Sequence, residues 1–299
     1  MESIYTELHK KYDLFFADAE LSRVSPIIPI EKKYRLPLAC EADYINKLHQ
    51  VLKDWNIDLL VPGVDEELSL VSRAQERFNP TKLFLPDTLF ISQMNDKLEM
   101  ANLFQKKGLA VPKSVRADFL PTDFSYPVIV KPRFGRGARE VFEICSEKKL
   151  AAYLAVLGQR SPEFLIQEKV VGAEFTVQMI VDPDGELKAV LPIRVIEKRG
   201  STISAVLEPE ATVESYCREI HRVLGGKGCY NVQLVKGNDN ECWCFEINPR
   251  VSTTFCMAIR AGLDPFSLYF NGKNNMMSHA EIPRLKLDRH WVNHYQVLG

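Results

Sequence analysis

The chain has 299 residues, 46% hydrophobic and 26% charged, which excludes a disordered, collagen-like or wholly coiled-coil protein. Thirty-eight basic residues against 39 acidic ones leave a net charge of −1, so a broad basic surface for nucleic acid is excluded as well. At roughly 100–200 residues per domain, the length accommodates two compact domains, with room for a small third.

In chain order, residues 13–17 (DLFFA) and 57–62 (IDLLVP) read as strands buried on both faces. Between them, 42–55 places Ile45, Leu48, Leu52 and Trp55 at helical spacing. A helix over 64–78 follows, its first turn acidic (Asp65, Glu66, Glu67) as the helix dipole favours. Strands alternating with helices predict an open α/β sheet, and the absence of G-x-G-x-x-G after the first strand removes support for a dinucleotide site. A helix over 95–107 is entered through polar 92–95 and closed by Gly108 and Pro112.

From about residue 114 strand signals dominate: 128–131, 140–144, 164–169, 174–181, 187–195, 229–236 and 241–248, with helices at 147–157 and 212–224. This is an α+β region whose hairpins turn at DPDG (182–185) and GNDN (237–240). The last twenty residues are polar and carry no motif.

Seven scattered cysteines without a C-x-x-C pair argue against a disulfide framework or structural zinc and for reduced thiols in the cytoplasm. The charged N-terminus (MESIYTELHKKYD) is unlike a signal peptide, and no run approaches the ~20 apolar residues of a membrane span.

Two segments carry chemistry. In ECWCFEIN (241–248), strict alternation puts Trp243, Phe245 and Ile247 on one face and Cys242, Cys244, Glu246 and Asn248 on the other. A turn centred on Asn238-Asp239 sets Asn231 opposite Glu246, with Gln233 on the diagonal at roughly 7–8 Å. One carboxylate with amide oxygens suits a hard cation such as Mg²⁺; taken alone, the same pattern also suits a solvated hairpin face. In YPVIVKPRFGRGAREVFEI (126–144), a strand ending in Lys131 leads to a basic glycine loop (Arg133, Gly135, Arg136, Gly137, Arg139). Guanidinium groups and flexible backbone N–H groups there form a polyphosphate clamp or an exposed hairpin tip. It is not a Walker A loop.

Together with LIQEKVVGAEFTV (165–177), RVIEKRG (194–200), NVQLV (231–235) and FEINPRVSTTF (245–255), these segments make the chain resemble the ATP-grasp superfamily, nearest its carbamoyl-phosphate synthetase-like branch, over roughly residues 57–266. The resemblance implies an α/β and α+β architecture. A truncated Rossmann-like pre-ATP-grasp domain (1–93), lacking the usual first strand, precedes an ATP-grasp domain (94–299). The latter divides into a smaller lid subdomain (114–170) and a larger metal-binding subdomain (171–299), two α+β units clasping ATP.

It further implies that Lys97 and Lys131 neutralise phosphate oxygens and that the loop holding Gly135, Gly137 and Arg139 closes over the phosphates. Gln167, Glu168, Lys169 and Val170 match the strand that binds adenine, and Glu174 the acid near the ribose. Gln233, Glu246 and Asn248 match ligands of two Mg²⁺ ions, with Mn²⁺ an alternative. Arg250 matches the arginine of the acyl-phosphate step. Lys198 and Arg194 are expected to border the cleft, in contact with phosphate or a substrate carboxylate, or to be plain surface. The implied activity is an ATP- and Mg²⁺-dependent ligase joining a small carboxylate to an amine, in a cytoplasmic protein with no nucleic-acid or membrane partner and a homodimer within the family's habits. A non-catalytic nucleotide-binding protein and a kinase releasing a phosphorylated product are the alternatives. The chain is too short to be a complete carbamoyl-phosphate synthetase.

Overall fold

The computed structural model describes residues 2–119, 121, 123–271 and 286–288. The N-terminal part runs through α1 (Glu2–Leu8), β1 (Phe16–Asp18), β2 (Lys33–Arg35), α2 (Tyr44–Asp54), β3 (Leu59–Leu60), α3 (Asp65–Arg73) and β4 (Lys82–Leu83). Instead of the single open sheet that the sequence predicts, β1 pairs in parallel with β2, and β3 separately with β4. Pro37 and Pro62 follow β2 and β3 within two residues, and a proline cannot donate to a ladder. The predicted helix over 64–78 splits into α3 and a 3₁₀ turn, Gln75–Phe78. At the start of α3 the Gly63 and Val64 amides donate to the Glu67 carboxylate at 2.7 and 3.1 Å, so Glu67 caps the helix. Leu48, Val51 and Leu52 of α2 pack with Leu68 and Val71 of α3 in a small core of their own.

Next come α4 (Thr88–Asn95) and α5 (Lys97–Lys107). The polar stretch 92–95, read as the entry to a helix, lies within α4. The cap of α5 is Asp96, whose carboxylate accepts from the amides of Leu98 and Glu99. Gly108 ends α5 in the left-handed region, as expected.

A four-stranded antiparallel sheet contains β5 (Ser114–Arg116), β6 (Val128–Pro132), β7 (Phe142–Ile144) and, after α6 (Glu147–Leu157), β8 (Phe164–Glu168), in the order β5-β8-β6-β7. Val128, Val130, Leu150, Phe164 and Ile166 fill its core. Residues 169–171 lead into the second sheet: β9 (Gly172–Val181), β10 (Leu187–Arg199), β11 (Ser201–Leu207), then α7 (Ala211–Leu224), β12 (Gly228–Gly237), β13 (Cys242–Asn248), α8 (Phe255–Arg260), α9 (Pro265–Asn271) and β14 (Lys286–Asp288). Its order is β13-β12-β9-β10-β11-β14. Strand β11 is additional to the sequence expectation; it returns from β10 through a turn at Gly200. Of the polar last twenty residues, only Lys286–Asp288 are among the described ones.

The two faces of this sheet differ. On one, Phe175, Val177 and Met179 of β9 pack against α4, α5 and α7. On the other, Ile180, Leu191 and Ile193 lie beneath α8 and α9. Along β9 that second face then continues through Gln178 and Thr176 to Glu174, so it turns from apolar to polar within one strand. The polar end is open.

Candidate active site

The hairpin of β12 and β13 has a register different from the predicted one. Gln233 stands directly opposite Glu246 and Asn231 opposite Asn248, while Leu234 faces Cys244. A bulge places one extra residue, Phe245, between these two runs. The alternation therefore changes phase: Cys242 and Cys244 point into the core with Ile247, and Glu246 keeps the open face. Strict alternation had assigned both thiols to the carboxylate's face. Asn231 is buried and accepts from Thr176 Oγ1 at 2.7 Å and from the Gln178 amide, so it braces the floor rather than facing Glu246.

Three lysines converge on this floor. Lys97, at the first turn of α5, lies 3.9 Å from Glu246 Oε1 and donates to the Gly135 carbonyl at 2.8 Å. Lys131, buried on β6, donates to the Phe245 carbonyl at 3.1 Å. Burial lowers its pKa to about 8; Glu246 opposes the shift, and Lys97 and Lys198 reinforce it. Lys198 of β10 donates to Glu174 at 2.6 Å and to Gln233 Oε1 at 3.1 Å. Two of these ammonium groups lie over the Phe245 ring, Lys131 Nζ at 5.2 Å and Lys198 Nζ at 5.5 Å from its centroid. Sequence reasoning set Phe245 on the apolar face, because a bulge leaves no mark in the alternation.

The basic loop divides. Arg136, Gly137 and Arg139 line the cleft, whereas Arg133 turns back to Asp96, the α5 cap, with Nε at 3.1 Å from Oδ1. Arg136 reaches Glu66 of α3 at 3.3 Å, a solvent-exposed pair worth at most about 1 kcal/mol. The loop rests on the β10–β11 turn: a Cβ added to Gly200, whose φ is +71°, would stand 2.9 Å from the Gly137 carbonyl oxygen.

Of the expected adenine-side residues, Gln167 is buried and donates to Ser114 Oγ at 2.9 Å, and the Glu168 amide donates to the Lys113 carbonyl at 2.9 Å. The Lys169 side chain pairs with Glu143 at 2.6 Å, and Lys169 and Val170 form the passage between the two sheets. Arg194 is a correction. It stands opposite Phe175, on the face away from Thr176, and is held by Glu208 at 2.6 Å. The phase of β10 changes only beyond Arg194, at the irregularity between Val195 and Lys198, so Lys198 and not Arg194 reaches the face of Glu174.

Arg250 lies two residues past the end of β13, after Pro249. Its Nε–H is bound to Asp65 of α3, Nη1 donates to the Val251 carbonyl at 3.1 Å and Nη2 approaches Asn248 Oδ1 at 3.5 Å. Glu246, Asn248, Gln233, Lys198 and Arg250 all line one cavity of 2820 Å³, which extends along the N-terminal segment.

The donor set at β12 and β13 is one carboxylate and neighbouring amide oxygens. Among the described residues no cluster of three or more His, Cys, Asp or Glu side chains exists. Such a set fits Mg²⁺, which binds through one or two carboxylates and completes its shell with phosphate oxygens and water. It does not fit zinc, which takes nitrogen and sulfur ligands.

Residues 94–254, more than half of the chain, match the family described as the ATP-grasp domain. The chain belongs to the ATP-grasp family. Among curated relatives, this ATP-grasp chain is 28% identical over 206 residues to the carbamoyl phosphate synthase arginine-specific large chain of Oryza sativa subsp. japonica, a match spanning 64% of this chain and 17% of that protein. It spans less than a fifth of the length of the curated relatives it matches. N5-carboxyaminoimidazole synthase from Aspergillus clavatus, solved with ADP and 5-aminoimidazole ribonucleotide, is similar at a TM-score of 0.70 and 13% identity, over 90% of this chain and 72% of that one. The biotin carboxylase domain of Hydrogenobacter thermophilus 2-oxoglutarate carboxylase, solved with MgADP, ADP and bicarbonate, gives 0.64 and 16%, over 84% and 62%. These likenesses establish the ATP-grasp fold. No helix among the described residues is long and apolar enough to cross a membrane.

Proposed function

We propose that this ATP-grasp chain is an ATP- and Mg²⁺-dependent carbon–nitrogen ligase that activates a small carboxylate as an acyl phosphate for attack by an amine. The observation that carries this reading is the convergence of Lys97 on Glu246, Lys131 on the neighbouring Phe245 carbonyl and Lys198 on Gln233, at the cavity that Glu246, Gln233 and Arg250 line. Residues 1–93 act as the pre-ATP-grasp domain, 114–170 as the lid and 171–299 as the metal-binding part.

A carboxylate resists attack because its charge is delocalised and oxide is a poor leaving group. Its oxygen displaces ADP from the γ-phosphorus, giving an acyl phosphate; the amine nitrogen then adds to the acyl carbon, and inorganic phosphate leaves. The first step needs positioning and charge neutralisation more than covalent help. Lys97 and Lys131 neutralise non-bridging phosphate oxygens, and the loop around Gly135, Gly137 and Arg139 excludes water. Gln233, Glu246 and Asn248 would hold one or two Mg²⁺ (or Mn²⁺), which would supply further positive charge for the phosphoryl transfer. The guanidinium of Arg250 holds the acyl phosphate and then faces the oxyanion formed when the amine adds. Glu168, Lys169 and Val170, in the segment that begins at Gln167, would meet the adenine chiefly through their backbone, and Glu174 would lie near the ribose.

The test is release of ADP and phosphate by the full chain, offered pooled amino and organic acids with pooled amines. Turnover that requires both pools supports the ligase. Stable phosphorylated product without an amine identifies a kinase, and MgATP binding without turnover in any pool identifies a nucleotide-binding protein.

A further inference from the structure

Asp65 comes from α3, upstream of the 94–254 stretch that matches the family, yet it bonds the arginine at that stretch's far end. The pair spans 185 positions of sequence, and its side chains are only 13% (Arg250) and 17% (Asp65) exposed. Glu67 already caps α3, leaving the Asp65 carboxylate free of that task. Arg250 lines the cavity, and Asp65 is not among the lining residues. The carboxylate therefore sits behind the guanidinium rather than in front of it.

A guanidinium has five N–H donors. Asp65 takes Nε–H, the Val251 carbonyl takes one from Nη1, and Asn248 Oδ1 lies nearest to one from Nη2. One N–H on each Nη is then left for a ligand, and the plane of the fork is fixed by contacts at three points. Without Asp65 the side chain would keep only contacts from β13 and its exit, and Nε would be free to swing. A half-buried ion pair also holds its geometry against salt better than an exposed one.

We propose that Asp65 is a positioning residue: it locks the Arg250 guanidinium in the orientation that receives the acyl phosphate, so the N-terminal segment completes the site. This rests on the role given to Arg250 above. The effect belongs to the bound acyl phosphate and not to the nucleotide, whose lysines lie on other elements and whose covering loop meets α3 at Glu66 rather than Asp65.

The experiment uses the full chain loaded with MgADP and titrates acetyl phosphate by calorimetry. Asp65→Ala is expected to weaken acetyl phosphate binding roughly tenfold, the lower end of what loss of an orienting partner costs, while the MgADP affinity stays within about twofold. Asp65→Glu, which restores a carboxylate, recovers part of the loss. Asp65→Ala combined with Arg250→Ala binds no more weakly than Arg250→Ala alone, because the two act as one unit. Equal affinity in wild type and Asp65→Ala overturns the proposal, as do losses that simply add. If Asp65→Ala fails to fold, the near-isosteric Asp65→Asn takes its place, its fold verified by thermal melting. A wild-type chain that binds MgADP but not acetyl phosphate overturns the role of Arg250 itself, and the role of Asp65 with it.

Discussion

Lys97 Nζ lies 3.9 Å from Glu246 Oε1 while donating to the Gly135 carbonyl, so one cation on α5 joins the β13 carboxylate to the covering loop. Opposite charges at that distance attract by roughly 4 kcal/mol at an effective dielectric near 20. Glu246→Gln separates the two partners of the carboxylate. With EDTA present, ATP should bind at least as tightly as to wild type, since a negative charge facing the phosphates has gone. With Mg²⁺ present, the variant should lose roughly 10–100-fold in affinity and all turnover. Titrations with and without the metal check both signs; an unchanged Mg²⁺ effect would remove Glu246 from the metal site.

Lys131 gives a pH signature. In the unfolded chain its ammonium holds its proton to the ordinary value of 10.5; burial brings this to about 8 in the fold. Between those values the unfolded state binds more protons, so this group's contribution to stability rises with pH from about 8 to 10.5. A phosphate beside Lys131 favours the charged form, so ATP binding takes up a proton and weakens as pH rises through 8. Calorimetry of metal-free ATP binding at pH 7–9, in two buffers of different ionisation enthalpy, reads the uptake directly. Lys131→Gln should abolish it; an identical slope in the variant would contradict the assignment.

Gly200→Ala should act at a distance. The new Cβ would meet the Gly137 carbonyl oxygen at 2.9 Å, and the residue would hold a φ of +71°. The backbone conformation alone costs on the order of 1–2 kcal/mol. Relief by lifting the loop should weaken ATP binding several-fold without altering any side chain proposed to contact a ligand. Comparison with Gly185→Ala, which shares a positive φ but has open space around it, separates strain from loop displacement.

Thiol reactivity follows burial. Cys40 and Cys145 are exposed and Cys256 is partly so, whereas Cys217, Cys229, Cys242 and Cys244 are buried. Burial pushes Cys242 up to about 11 and Cys244 up to about 12, so neither offers thiolate near neutral pH. Iodoacetamide at pH 8 should label Cys40, Cys145 and then Cys256, as mapped by mass spectrometry. Labelling of Cys244 in the native fold would mean that β13 opens.

Much of the fold is legible in the sequence because local patterns specify it. Leu150, Leu154 and Leu157 at helical spacing give a helix with the bounds of α6, and the DPDG turn forms with Gly185 donating to the Asp182 carbonyl at 3.1 Å. The candidate residues from Lys97 to Arg250 can be picked out by their motifs. What escapes is what depends on partners far along the chain. The acids 65–67 read as helix-dipole charges, and nothing in a linear pattern couples Asp65 to Arg250. Arg194 and Arg133 look available until Glu208 and Asp96 are seen to engage them. The N-terminal strands are apolar enough for one sheet, but prolines cut the ladders short.

The irregularity at Phe245 has a consequence for ligand shape. A regular strand spaces side chains of one face two residues apart, about 6.6 Å; the bulge presents two chain neighbours, an aromatic ring and a carboxylate, side by side on the same surface. A molecule lying across β13 can thus meet a flat greasy patch and an anionic contact almost at once. Excising that single residue would restore the ladder around the acid but remove both the ring beside it and the carbonyl that holds the Lys131 ammonium.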